Sequence, residues 1–373
     1  MTPYLPDDAL LHRFRSHLMD WAASNPRPLP WKGEQDPYKI WLSEIILQQT
    51  RVEQGLPYYQ KFVAQYPTVH QLAETSEDQL LKLWEGLGYY SRARNLHAAA
   101  KYISKHLNGI FPDTFEGIRA LKGVGDYTAS AIAAFAFGLP QAVLDGNVYR
   151  VLARFFGIEI PTNTPAAKKQ FRALAQALLD PARPGAHNQA MMDFGASCCT
   201  PKKAKCHACP LQAECRAFQT GKIALLPLKK AALVKKKRIF HYQLFNHRGD
   251  VYVKKRTERD IWRGLWEFPQ TSAPLETSPF GVNAVWAAGP FRQTLTHQAV
   301  TAFFYEVDLP DDSPPDFFQK LELDGCVRIP RKNLKKNIAF PRVIVCYLES
   351  NALTLKSCKN QVNSRFHLNS PSL

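Results

Sequence analysis

The sequence predicts a multidomain protein, an all-helical unit followed by an α+β unit, and three observations predict it. The chain has 373 residues, and at roughly 150 residues per domain that favours two or three domains. Up to about residue 219 apolar residues recur at three- and four-residue spacing, with almost no strand signal. Beyond residue 236 the period becomes two. A content of 45% apolar, 12% aromatic and 21% charged residues allows real cores and excludes a disordered chain. The net charge of +16 suits a polyanionic partner such as nucleic acid, the alternative being a basic but inert surface.

The opening MTPYLPDDALLHRF carries Asp7 and Asp8 where a signal peptide needs positive charge and then an apolar run, which argues against export. The apolar stretch ASAIAAFAFGL falls short of the roughly 18 residues a membrane helix requires, so a soluble, cytoplasmic protein without membrane contact is expected; the expected state is a monomer. Helical periodicity follows in DALLHRFRSHLMDWA, YKIWLSEIILQQT, EDQLLKLWEGL and FRALAQALL. The proline-rich stretch 26–37 and Gly86, Gly88, Gly123, Gly125 and Pro140 punctuate short helices. TGKIALLPL shows no helical repeat, and residues 229–238 hold six basic side chains, so a boundary is placed there. Then Phe240, Tyr242 and Leu244 alternate, HRGD offers a turn, and Val251 and Val253 alternate again, which predicts a hairpin. AVTAFFYEVDL, residues 299–309, is a further strand. The expected organisation is a helical domain over 1–221, a basic linker over 222–236, an α+β domain over 237–350 and a loose tail over 351–373.

Four segments carry chemistry. Cys199, Cys206, Cys209 and Cys215 stand as C-x6-C-x2-C-x5-C, a compact loop able to bring four thiolates around one inorganic centre. Structural zinc sites usually use two close pairs, and only Cys206 and Cys209 are closely paired here. Cys198 reads as an ordinary buried cysteine. Lys202, Lys203 and Lys205 form either a positive knob for phosphates or a solvated loop. LKGVGDYTASAIAAFAFG reads as two helices joined by GVG, a helix-hairpin-helix. Gly123 and Gly125 are expected at positive φ, bringing main-chain N–H groups and Lys122 to a backbone phosphate. Glu44 shares a helix face with Ile40, Trp41, Leu47 and Gln48, and desolvation there would raise it into the range of a general acid; the alternative is a buried glutamate paired with an arginine. Asp145 precedes NVYRVLARFF, either as a simple N-cap or as a carboxylate kept ionised by helix-end N–H groups to support a sugar cation.

The cysteine spacing resembles the four-iron four-sulfur loop of the endonuclease III and adenine DNA glycosylase superfamily, with a structural cluster. LPWKGEQDPYKIWLSEIILQQTRV, GLGYYSRARNLH, LKGVGDYTA, LDGNVYRVLAR, NQAMMDFGA and the cysteine loop together closely resemble the MutY family of adenine DNA glycosylases over residues 8–219. The resemblance implies a helix-hairpin-helix lobe over about 30–137 and a cluster lobe over 1–29 and 138–221. It implies double-stranded DNA as partner and hydrolytic removal of adenine opposite 8-oxoguanine or guanine, after the base is flipped out. By the same resemblance Glu44 is the acid that protonates adenine N7, Asp145 supports the sugar cation, and Tyr127 and Asn147 assist. Arg27, Trp31, Leu47, Val52 and Gln189 form the adenine pocket, and Gln49, Thr50, Leu87 and Tyr89 invade the stack. Relatives with lyase activity place a Schiff-base lysine where this chain has Tyr127, so a monofunctional enzyme is expected, with Lys122 the nearest lysine.

RTERDIWRGLWEFPQ resembles the family's C-terminal, Nudix-like 8-oxoguanine recognition domain. The glutamate-rich REx2EE helix that would bind magnesium is missing, so pyrophosphohydrolase activity is not expected. TLTH, residues 294–297, stands where the family has Phe-Ser-His, retaining a hydroxyl at Thr296 and the imidazole of His297. Two rivals remain at this point: a bifunctional oxidised-pyrimidine glycosylase, disfavoured by Tyr127, and a non-catalytic iron-sulfur scaffold, which leaves Glu44 and Asp145 without a task.

Overall fold

The structure is a computed structural model that describes residues 6–230, 234–271, 285–313 and 325–357, with 316, 318 and 319. Helices follow the apolar periodicity: α1 (Asp8–Ser24), α2 (Pro37–Leu47), α3 (Val52–Gln65), α4 (Val69–Glu74), α5 (Glu77–Leu83) and α6 (Ser91–His106). They continue with α7 (Phe115–Ala120), α8 (Asp126–Phe137), α9 (Gly146–Phe155), α10 (Pro165–Leu178), α11 (Pro184–Ser197) and α12 (Arg216–Gln219). Side-chain oxygens cap many of them: Asp7 accepts from Leu10 N, and Thr68 and Ser76 form capping boxes with Gln71 and Gln79. Among the described residues, no helix is long and apolar enough to cross a membrane.

The chain falls into two compact units, Met1–Thr75 with Ser91–Ala232, and Ser76–Tyr90 with Leu233–Leu373. In the first, α1, α9, α10 and α11 close a core around Phe14, Leu18, Phe155, Phe171 and Phe194, against which Cys199, Cys209 and Cys215 pack. Phe14 meets Phe155 edge-on at 4.8 Å. Around α2, the side chains of Trp41, Ile46 and Phe62 are fully buried.

The second unit holds a seven-stranded mixed sheet: β1 (Lys236–His247), β2 (Asp250–Lys255), β3 (Trp266–Glu267), β4 (Gln270–Thr271), β5 (Val285–Thr294), β6 (Gln298–Asp308) and β7 (Cys326–Pro330). Strand order is β3-β2-β1-β6-β5, with β4 on β1 and β7 on β2. The hairpin expected at HRGD is β1–β2, pairing His247 with Asp250, and residues 299–309 lie largely in β6, parallel to β1. A short helix, α13 (Leu334–Asn337), and a longer one, α14 (Arg342–Ser357), follow, and Tyr347 of α14 stacks on Phe304 at 4.1 Å.

The structure departs from the expected organisation in three places. Residues 240–245 of β1 are buried on both faces, because this strand is central and not half-exposed as its alternation implies. Helix α14 continues to Ser357, into the span expected to be a tail. Residues 76–90, expected inside the helix-hairpin-helix lobe, belong to the second unit. There Asp78 binds Lys255 Nζ at 2.7 Å and accepts from Trp266 Nε1, and Glu85 accepts from the Phe340 main-chain N–H at 2.8 Å.

Candidate active site

Helix α2 packs against α8 and presents Glu44 on its inner face. The carboxyl is only 8% exposed, and among the described residues no arginine pairs with it. Burial pushes its pKa up to about 7; the charge of Asp145 pushes the same way, while a hydrogen bond donated by the Tyr127 hydroxyl opposes both. Tyr127, in the first turn of α8, is itself raised well above its ordinary range by burial and by the two carboxylates.

Asp145 is the N-cap of α9. One oxygen accepts from Val148 N at 2.7 Å and the other from Asn147 Nδ2 at 2.7 Å. These donors pull its pKa down, as the sequence implies, yet burial outweighs them and leaves the carboxyl raised. Asn147 cannot turn its amide round, because Arg150 Nη2 donates to its Oδ1 at 2.8 Å. Arg150 also donates to the carbonyls of Gly195, at 2.6 Å, and Cys199, at 2.7 Å.

Glu44, Tyr127, Asp145 and Asn147 line one cavity of about 900 Å³, together with Arg27, Trp31, Leu47, Gln49, Thr50, Val52 and Gln189. Sequence-distant residues are thus gathered in one place. Trp31 and Leu47 are partly exposed on its wall and not closed into the core, with Trp31 edge-on to Tyr59 at 5.4 Å. Gln49 takes a positive φ of 55° just past the end of α2. A glutamine there is strained, and such strain concentrates at working sites. Arg92 compensates: its Nη1 donates to the carbonyls of Ile45, Ile46 and Gln48 at 2.6–2.9 Å, satisfying the helix end. Sequence reasoning missed Arg92, whose partners lie more than forty residues away, and Arg150, whose i,i+3 step to Asn147 within α9 is a signal that could have found it.

The hairpin between α7 and α8 needs one correction. Gly123 has φ of 80°, whereas Gly125 has φ of −96° and caps α8. An added Cβ at Gly123 would lie 2.5 Å from Asn95 Cβ, but at Gly125 it would meet nothing within 4 Å. Only the first glycine is needed by the turn. Lys122 is exposed on the hairpin and does not line the cavity; the lysine that does is Lys32, whose Nζ sits 2.6 Å from Asp193.

Cys199, Cys206, Cys209 and Cys215 line a single small cavity with Phe218 and Ile223, and the buried Cys198 lines it too. Among the described residues, no group of three or more histidine, cysteine or acidic side chains is arranged as a metal site. The donor set nevertheless fits an iron-sulfur group: four soft thiols turned into one apolar-walled space. Arg154 braces the loop, donating to Cys199 Sγ at 3.4 Å and to the carbonyls of Thr200 and Pro201. Lys202, Lys203 and Lys205 are exposed along it.

Four expected site residues lie in the second unit. Leu87 is buried and Tyr89, at a positive φ of 48°, is 46% exposed, so Tyr89 is the one presented to solvent. Its hydroxyl bonds to that of Thr296, which with His297 forms the exposed β5–β6 turn.

Comparison with known proteins agrees with this geometry. Residues 42–178 match the HhH-GPD superfamily of base excision DNA repair proteins, and residues 241–350 match the NUDIX domain. An adenine DNA glycosylase of Buchnera aphidicola subsp. Acyrthosiphon pisum is 38% identical over 258 residues, 69% of this chain and 74% of that one. The chain belongs to the adenine DNA glycosylase family. A human adenine DNA glycosylase is 42% identical over 222 residues, 57% of this chain and 41% of its own. Among solved structures, a thermostable thymine-DNA glycosylase matches with TM-score 0.53 and 29% identity, covering 57% of this adenine DNA glycosylase family member and all of itself. An endonuclease III trapped on DNA matches with TM-score 0.50 and 20% identity over 57% of this chain and 98% of its own, which shows the shared helical fold.

Proposed function

We propose that this family member hydrolyses the N-glycosidic bond of adenine opposite 8-oxoguanine or guanine in duplex DNA, as a monofunctional enzyme acting on a flipped base. The observation that carries the reading is Glu44, buried, with a pKa near 7, sharing one cavity with Asp145. Two carboxyls in such a space divide their tasks. Both carboxyls are raised by burial, but Asp145 has Val148 N and Asn147 Nδ2 donating to it, so it is the one assigned the negative charge and Glu44 the proton. Glu44 then hands that proton to N7 of the departing adenine, and ionised Asp145 stabilises the positive sugar until water adds.

Tyr127 holds Glu44 in place, and Arg27, Trp31, Leu47, Val52 and Gln189 enclose the base. Gln49, Thr50 and Tyr89 would enter the stack, the buried Leu87 supporting the turn that carries Tyr89, and Thr296 and His297 would read the opposite strand. Tyr127 stands where relatives with lyase activity carry a Schiff-base lysine, which supports the monofunctional reading. Gly123, Gly125, Lys122, Lys202, Lys203 and Lys205 would hold phosphates. Cys199, Cys206, Cys209 and Cys215 would hold a four-iron four-sulfur cluster, which when bound cross-links this loop as a structural element.

Incubating the protein with an adenine:8-oxoguanine duplex and assaying free adenine tests the reading. Release that Glu44→Gln abolishes while DNA binding survives is the expected result; full activity in that variant removes the acid assignment.

A further inference from the structure

A second cavity, of about 740 Å³, lies behind the first and is bounded by α1 and α11. The two cavities share four wall residues, Lys32, Ala186, Gln189 and Asp193. The partition between them is therefore made of side chains. Its latch is the ion pair from Lys32 Nζ to Asp193 Oδ2 at 2.6 Å, with Arg27 Nη1 on the other oxygen at 3.4 Å. On its far side the second cavity meets exposed residues, among them Ser16, Ala23 and Asn25, so it leads to solvent.

We propose that this second cavity is the exit for the freed base, with Lys32–Asp193 as the gate. The inference rests on the glycosylase reading above. After cleavage the sugar–phosphate chain still fills the mouth through which the base entered, so adenine cannot leave that way until the DNA dissociates. Adenine is a neutral, planar base with donors and acceptors on its edges. Gln189 faces both cavities, and Ser16 and Asn25 offer polar partners further out. Asp193 is buried and stays in place, whereas Lys32, with 23% of its side chain exposed, can swing its ammonium into water. Asp193 keeps Arg27 as a partner when it does.

The test follows two quantities after rapid mixing with a duplex labelled in the target adenine. Alkali quenching reads total cleavage, and rapid filtration reads base that has left the protein–DNA complex. In the wild type, free adenine is expected well before the abasic duplex dissociates. Ala186→Trp, which narrows the shared wall, is expected to delay base release at least fivefold relative to cleavage. Ala23→Trp, which crowds only the outer cavity, is expected to delay release with the cleavage rate within twofold. Lys32→Met is expected to release base as fast as the wild type or faster. Wild-type adenine that appears only with DNA dissociation overturns the exit, as does release in both tryptophan variants that tracks cleavage. A wild type that cleaves no adenine overturns the glycosylase reading instead, and the two failures are told apart by the quench.

Discussion

Replacing Glu44 with glutamine should make the protein inactive and more stable, and the stability gain should depend on pH. The carboxyl ionises at about 7 in the fold and at about 4.5 in its ordinary state. At roughly 1.4 kcal/mol per pH unit, that gap corresponds to about 3 kcal/mol. Below about pH 4.5 both states are protonated and the variant should match the wild type. Between 4.5 and 7 the folded wild type holds more protons than the unfolded chain, so its stability falls as pH rises; above 7 the loss is complete. Glutamine never ionises, so at pH 8 the variant should be more stable by about 3 kcal/mol. For a unit of this size that is a rise in Tm of about 6–12 °C. Thermal melts by far-ultraviolet circular dichroism at pH 4.5 and pH 8 measure the difference, beside adenine release at each pH. A variant that melts lower at pH 8 would refute the reasoning, because losing an ion-paired structural glutamate does that. A gain of equal size at both pH values would also sink it.

The same carboxyl sets the pH dependence of the reaction: single-turnover adenine release should fall about tenfold per pH unit above about 7, and a rate that climbs through pH 8 would exclude Glu44 as the acid. Tyr127→Phe removes a donor that lowers Glu44, so the alkaline limb should move to higher pH; movement the other way contradicts the assigned hydrogen bond. Gly123→Ala should destabilise the protein by more than about 1 kcal/mol, from its positive φ and the contact with Asn95. Gly125→Ala, which meets no steric contact but is a poorer N-cap, should cost less than about 1 kcal/mol and weaken DNA binding, which chemical denaturation and filter binding separate. Cys206→Ser should remove the broad visible absorption of an iron-sulfur protein and open residues 199–215 to protease; unchanged colour would take Cys206 out of the ligand set.

Much of the site was legible because it is written locally. Glu44 sits on a periodic apolar helix, Asp145 is an N-cap, and the cysteines and hairpin glycines are set by short spacings. These motifs place Glu44, Tyr127 and Asp145 on named helices, and periodicity alone separates the helical unit from the strands. The sequence does not say that Trp31 and Leu47 line an opening, since an apolar residue on a helix or loop looks the same facing a core or a cavity.

Periodicity, composition and short spacings carry the set of elements, the chemical kinds of residue on them, and the family. Tertiary structure alone decided which of them act on one another. It raised Asp145 above its ordinary range, because burial is a property of the whole cavity wall while its helix-end donors are local. It joined residues 76–90 to the second unit through Asp78 and Glu85, reaching partners more than a hundred residues away. It placed Arg92 under the end of α2, Arg150 against the carbonyls of Gly195 and Cys199, and Lys32 against Asp193, none of which is announced by spacing. Side chains that meet only when the chain is closed leave no periodic trace along it, and the charge state of a buried group is fixed by those meetings.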